Sequence, residues 1–313
     1  MKTFDCQFYP GWTRKSITFT IDDGNIEMDE KFLGIVKPAG IKGTFNLCTS
    51  LRKNMTADDY RAFYHGYEIA NHCHRHPSAF SPSRQPAIAD EPFDEATADP
   101  SKAYRTEEEG FYRVHATHRD SWNYYIATED KYMEYVDLCN RILEEVFGNG
   151  TVKDFVWPFG DQNNPDLTQR LIDYGFRSIR ATGDVDDRTG FALPADRMCW
   201  SYNAHHKTLL QIAKKYADYP DDNTLKFFCF GVHSIDFENS ANWEDLQVFC
   251  NLYGNRPEEY WYAPVGDIFD YEDAVKALRY TENSVYNDSN LDIYALLDGK
   301  RIILPAHASL SLQ

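Results

Sequence analysis

From Ser16 to Ile21 the chain alternates Ser-Ile-Thr-Phe-Thr-Ile and then stops on Asp22-Asp23-Gly24. Alternation at period two marks a strand with one apolar face, so Ile17, Phe19 and Ile21 share a side and the aspartates close the C-terminal end. Gly24 supplies a turn that needs little side-chain room. Adjacent ionised carboxylates repel, and two so close require a cation or a shared proton. An ordinary surface turn would use the same residue types. What separates these readings is whether metal-binding partners occur elsewhere.

They do, at Gly66-Tyr-Glu-Ile-Ala-Asn-His-Cys-His-Arg-His-Pro77, where three imidazoles fall within five residues of a chain with ten histidines. His72 and His76 are four apart, so a helical turn or compact loop places both on one side. Imidazole suits zinc, cobalt, nickel and iron, whereas magnesium and calcium take oxygen ligands. Two histidines and one aspartate leave room for water on a divalent ion, the ligand set of a catalytic site rather than a closed structural one.

The surrounding sequence alternates strands and helices. Lys31–Pro38 reads as a helix, Lys42–Leu47 as a strand and Ala57–His65 as a helix capped by Thr56 or Asp58. That alternation predicts a parallel α/β architecture, and chemistry gathered at strand C-termini fits a barrel-like member of the class. Lys131–Phe147 is the clearest helix, with Tyr132, Tyr135, Val136, Cys139, Ile142, Leu143 and Val146 at spacings of three and four.

With both clusters in view, the chain resembles the polysaccharide deacetylases of the NodB-homology class, carbohydrate esterases that remove N-acetyl or O-acetyl groups. In that family an early Asp-Asp-Gly supplies a catalytic base and then a metal ligand, which implies base for Asp22 and ligand for Asp23. Its second motif holds two metal-binding histidines four apart between Asn and Pro, matched by His72 and His76; Cys73 stands where Ser or Thr is usual. Asp154-Phe-Val-Trp-Pro-Phe-Gly resembles a third motif whose aromatic residue, here Phe159, lends its backbone amide to the oxyanion. Phe227-Phe-Cys-Phe-Gly-Val-His resembles the late strand whose terminal histidine, here His233, is the general acid.

The resemblance runs from about Ser16 to Ala274 in the family's motif order. It implies a distorted (β/α) barrel of seven or eight strands and one divalent metal ion, zinc first with cobalt or nickel as alternatives. The expected substrate is an acetylated sugar or short oligosaccharide that loses an N-acetyl group. O-acetyl esterase, amide or imide hydrolase, and an inert carbohydrate-binding barrel are the competing readings. The chain departs from the family pattern in two places. Val156 replaces an arginine that braces the base, and the fourth motif is not recognisable. Arg180 is the candidate to reach back to Asp22, and Asp184, Asp186 or Asp187 to orient His233.

A net charge of -17 disfavours nucleic acid as a partner, and no window approaches 18 apolar residues, which excludes a membrane span. A homo-oligomer is compatible with the sequence but not indicated by it. The seven cysteines show no Cys-x-x-Cys spacing, which suits free thiols in a reducing compartment. Met1 running straight into domain sequence predicts a cytoplasmic protein, or a secreted or periplasmic one if a leader has been removed.

Two segments stand apart from the barrel pattern. Residues 77–122 carry five prolines and no sustained periodicity, predicting a long loop inserted near the site mouth. Within it His115 and His118 read as loop residues. Residues 284–313 read as a small β appendage on a deacetylase barrel of residues 1–283, with a tight turn at Asp298-Gly299. Asn242 and Asp245 have capping-box spacing, and Asp267 is placed to join the cleft.

Overall fold

The computed structural model describes residues 2–51, 55–80, 86–115, 124–160, 162, 164–183 and 190–313. Six parallel strands form a curled sheet: β1 (Lys15–Asp23), β2 (Thr44–Leu47), β3 (Glu68–Asn71), β4 (Asp154–Val156), β5 (Ser178–Arg180) and β6 (Lys226–His233). Their spatial order is β5-β4-β3-β2-β1-β6, and a seventh strand, β7 (Tyr260–Tyr262), pairs with Lys15–Ile17 of β1. The edges β5 and β6 are joined by an irregular segment. Trp200 bridges Arg180, and Ala204 bridges Phe230. The result is a distorted barrel, closed by single bridges where a regular barrel would have a strand.

Helices α1 (Ile26–Val36), α2 (Ala57–Phe63), α3 (Glu129–Phe147), α4 (Pro165–Tyr174), α5 (Leu209–Asp218), α6 (Ser234–Asn239), α7 (Trp243–Tyr253) and α8 (Val265–Lys276) complete the α/β pattern. The alternation in β1 sorts the two layers. Ile17, Phe19 and Ile21 join Phe32, Phe45 and Phe230 in the main apolar core, with Phe19 5.0 Å from Phe32 and 5.4 Å from Phe45 by ring centroid. Each such ring contributes about 1.5–3 kcal/mol by leaving water. The opposite faces are polar: Thr20, Thr44, Asn46, Glu68, Asp154, Ser178 and Arg180 line one small cavity inside the barrel.

A charged cluster forms the barrel floor, where Arg177 pairs with Glu68, Asp154 and, at 2.8 Å, Asp270. Asp267 is exposed beside this cluster rather than in the cleft. Asn242 precedes α7 but makes no side-chain cap bond.

Residues 77–122 are not the structureless loop that their prolines predict. Ser78–Ala79, Ala87–Ile88, Lys102–Arg105 and Phe111–Val114 join Tyr124–Ala127 in a five-stranded sheet. Strands of two to four residues are too short to reveal a period.

At the other end, Ile293–Leu297 and Lys300–Leu304 form a hairpin whose turn residues Asp298 and Gly299 both have positive φ, 50° and 74°, as a two-residue hairpin turn requires. Phe4–Asp5 pairs with Leu296–Leu297, and Arg279–Tyr280 pairs with Val285–Tyr286. The terminal strands therefore enlist residues from before β1 and after α8. Among the described residues no helix is long and apolar enough to cross a membrane. All seven cysteines are free, six of them buried.

Candidate metal centre and flanking acid–base groups

Parallel strands point their C-terminal ends the same way, so residues that end them converge. Asp22 and Asp23 end β1, His72 follows β3, the Pro158–Gly160 turn follows β4, Arg180 ends β5 and His233 ends β6. The pairing of β6 with β1 places His233 opposite Asp22 in register. All seven residues expected at the site are brought together.

Asp23 Oδ1 lies 3.4 Å from His72 Nε2 and 3.4 Å from His76 Nε2, and the two nitrogens are 3.1 Å apart. Atoms held about 2.0–2.1 Å from one ion stand roughly 3.0–3.4 Å from each other, so the triangle has the size of a metal-ligand face. Asp23 Oδ1 is buried without a hydrogen-bond partner, a costly condition that a cation relieves. His72 Nδ1 donates to the Val156 carbonyl at 2.9 Å, which fixes the tautomer and leaves Nε2 with its lone pair toward the triangle. The residues present fit a divalent metal ion. Among the described residues this is the one group of three side chains able to hold it.

The loop that delivers these ligands is conformationally unusual. Asp23, Cys73, Arg75 and His76 have φ of 77°, 62°, 65° and 51°, left-handed values that persist only where surroundings enforce them. Asn71 Oδ1 accepts from Cys73 N at 2.8 Å, Thr49 Oγ1 bonds His74 Nδ1 at 2.8 Å, and Arg75 pairs with Glu108 of the inserted sheet at 3.0 Å. His74 therefore braces the loop and is not a ligand.

Asp22 is nearly buried and is held by Arg180, whose side chain is wholly buried, and by Asn46 Nδ2 at 2.7 Å. Burial alone would raise its pKa, but Arg180, followed by His72 and His233, keeps the carboxyl below its usual range. Arg180, on the strand next to Val156, thus reaches Asp22 as the sequence predicts. Asp23 is likewise driven well down against its burial, by its contact with His72 and the charge of His233. Burial and the neighbouring His72 push His76 down to about 4, so it is a neutral donor at neutral pH.

His233 stands on the other side, its Nε2 3.8 Å from Asp23 Oδ2. Burial opposes its protonation, but the hydrogen bond to Asp236, with Asp23 and Asp22 beyond, raises its pKa to about 9. Asp236 Oδ2 accepts both from His233 Nδ1, at 3.0 Å, and from the His233 backbone N–H, at 3.2 Å. The expected partners Asp184, Asp186 and Asp187 lie outside the described residues, as does His118. Asp236 was missed, although its spacing of three from His233 at a helix start is the capping-box signal. Phe159 has φ 58°, and its half-exposed ring meets His76 edge-on at 4.6 Å.

These features define a class: an α/β barrel with a candidate metal centre at the C-terminal ends of its strands, flanked by a buried carboxylate and an imidazole paired with a carboxylate. A sequence profile described as polysaccharide deacetylase matches residues 11–179, more than half of the 313 residues. The chain belongs to the polysaccharide deacetylase family, hydrolases that remove acetyl groups from carbohydrates.

Similar solved structures include the Xyl-CE4 domain of a multidomain xylanase from the hindgut metagenome of Trinervitermes trinervoides, at 16% identity and TM-score 0.46, covering 84% of this chain and 93% of that one. Another is a family 4 acetyl xylan esterase from Clostridium thermocellum in complex with a cobalt ion, at 15% identity and TM-score 0.44, covering 83% and 92%. A polysaccharide deacetylase from Bacillus cereus matches at 15% identity and TM-score 0.42, covering 80% and 92%. A comparison with curated sequences finds no match.

Proposed function

We propose that this protein is a metal-dependent deacetylase that removes N-acetyl groups from an acetylated sugar or short oligosaccharide. The observation that carries this reading is the convergence of Asp23 Oδ1, His72 Nε2 and His76 Nε2 between Asp22 and His233. A divalent ion bound there, zinc in the first instance, supplies the Lewis acidity that acidifies the attacking water and polarises the acetyl carbonyl. Asp22, kept ionised by Arg180, accepts the proton that the water loses. By the family resemblance, the Phe159 backbone N–H is the donor for the oxyanion that develops on the former carbonyl.

His233 then protonates the departing nitrogen. Asp236 raises the basicity of the ring and occupies Nδ1, so that Nε2 faces the reaction. The carbon–oxygen bond formed and the carbon–nitrogen bond broken leave acetate and a free amine. An amine leaves far less readily than an alkoxide unless protonated, and His233, with Asp236 on its Nδ1, is the proton donor that an N-acetyl substrate requires. The inserted sheet reaches the metal-ligand loop through Glu108 and Arg75, which supports a partly covered cleft and a short substrate.

The test is acetate and amine release, with zinc supplied, from matched N-acetylated and O-acetylated sugars of increasing length. Acetate matched by new amine, fastest on short oligomers, is expected. Acetate from O-acetyl substrates alone would overturn the N-acetyl assignment, and faster turnover of long polymer would overturn the covered cleft.

A further inference from the structure

Helix α1 buries Asp29, Phe32, Leu33 and Val36, the spacing of a stripe that packs a helix on a sheet. A carboxylate at the first position of that stripe is out of place. Asp29 is wholly buried, and burial lifts its pKa to about 7 despite its hydrogen bonds from Ser234 and Tyr64. An apolar residue of similar volume would cost the fold less. Both carboxyl oxygens are engaged: Ser234 Oγ donates to Oδ1 at 2.6 Å, and Tyr64 OH donates to Oδ2 at 2.7 Å.

The two partners are significant for where they sit. The Tyr64 hydroxyl lies against Gly24, 3.6 Å from where a Cβ would stand, and so against the turn that follows Asp22 and Asp23. Ser234 is the residue after His233 and is itself fully buried. One carboxyl thus joins the turn behind the two aspartates to the turn that carries the imidazole.

His233 needs such a tie. Its side chain is 41% exposed, and its hydrogen-bond partner Asp236 belongs to α6, the helix that His233 itself opens. That bond orients the ring relative to its own helix. The register of β6 on β1 sets the His233 backbone opposite Asp22, but neither that pairing nor the Asp236 bond ties the first turn of α6 to α1.

We infer that Asp29 is a positioning residue, holding His233 across from Asp22 and Asp23 through the Ser234 hydroxyl. Its geometric part stands on the contacts above; its catalytic part rests on the reading of His233 as proton donor.

Ser234→Ala removes the tie and leaves Asp29, Tyr64, Asp236 and His233 in place. In zinc-loaded protein, the His233 ring should give one sharp set of 1H–15N resonances in the wild type and a broadened or doubled set in Ser234→Ala. Zinc content and thermal midpoint should stay close to wild type. Turnover of an N-acetyl sugar should fall about tenfold while that of an activated acetyl ester falls less than about threefold, because a good leaving group needs little proton donation. Asp29→Asn, which keeps an acceptor for Ser234, should stay near wild type, and Asp29→Leu should behave as Ser234→Ala.

Unchanged His233 resonances in Ser234→Ala would overturn the tie. Altered resonances with equal losses on both substrates would overturn its catalytic role. His233→Ala measured alongside keeps the two readings apart. If that variant loses amide and ester turnover equally, the donor role of His233 fails, while the resonances still decide whether Asp29 positions the ring.

Discussion

Arg180→Met leaves the Asp22 carboxylate buried beside Asn46 without its guanidinium. The side chains of Arg180 and Asp22 are 0% and 7% exposed, so solvent does little to screen the pair. Unit charges about 4 Å apart attract by about 4 kcal/mol at an effective dielectric near 20, and stripping one partner from a buried pair costs about 3–5 kcal/mol. The two routes agree.

The loss has a definite pH dependence. In the wild type, burial raises the Asp22 pKa, but Arg180, His72 and His233 together hold it below the usual range. A lowered folded-state pKa contributes stability above the unfolded value, about 3.9, and that stability is lost as pH falls through the folded value. In Arg180→Met burial is opposed less and the pKa rises. The penalty is then greatest near neutral pH and shrinks as acid neutralises the carboxyl.

Urea unfolding of metal-free wild type, Arg180→Met, Asp22→Asn and the double variant between about pH 5 and pH 8 measures this. The double variant should recover most of the loss, with a coupling of roughly 3 kcal/mol. A penalty below about 1 kcal/mol, or one equal at every pH, would refute the reasoning.

Two glycines give further expectations. A Cβ at Gly160 would stand 2.0 Å from Thr182 Oγ1 on a backbone with φ +66°, so Gly160→Ala should cost about 1–3 kcal/mol and move the Phe159 ring off His76. A crystal structure that keeps the ring contact would contradict this. At Gly266 a Cβ would fall 1.7 Å from Arg177 and 2.1 Å from Glu68. Gly266→Ala should therefore lower the thermal midpoint by about 5 °C or more while leaving acetate release per folded molecule unchanged; an unshifted midpoint would show that the floor cluster tolerates rearrangement.

The local signals in the sequence were strong where one strand end carried its own chemistry. Ser16 to Gly24 announced a half-buried strand with a paired carboxylate at its tip, and the polar face of the same alternation became the barrel interior. His72 and His76 announced a shared ligand because imidazoles four apart can face one point. What was hidden lay either in strands too short to show a period or in distant partners. The sheet inserted after Pro77 has strands of two to four residues, too short for periodicity to register. Phe4–Asp5 meets Leu296–Leu297 across nearly the whole chain, a pairing that no local pattern encodes. Arg180 could be named as a brace for Asp22 from its strand-end position, but Asn46 could not, since a polar residue on an inward face has many uses. Asp236 is legible only in its spacing of three from His233, which marks a helix start as readily as a partner for the ring.

Metal dependence joined to the base role of Asp22 is the central claim, and reconstitution tests it most directly. Wild-type and Asp22→Asn proteins are stripped with chelator and reloaded with zinc. Bound zinc and acetate released from an N-acetylated oligosaccharide are then measured on the same samples. The account predicts about one zinc per chain in both proteins, acetate from zinc-loaded wild type alone, and little from either stripped protein. Full acetate release by the stripped wild type, or by zinc-loaded Asp22→Asn, would contradict it.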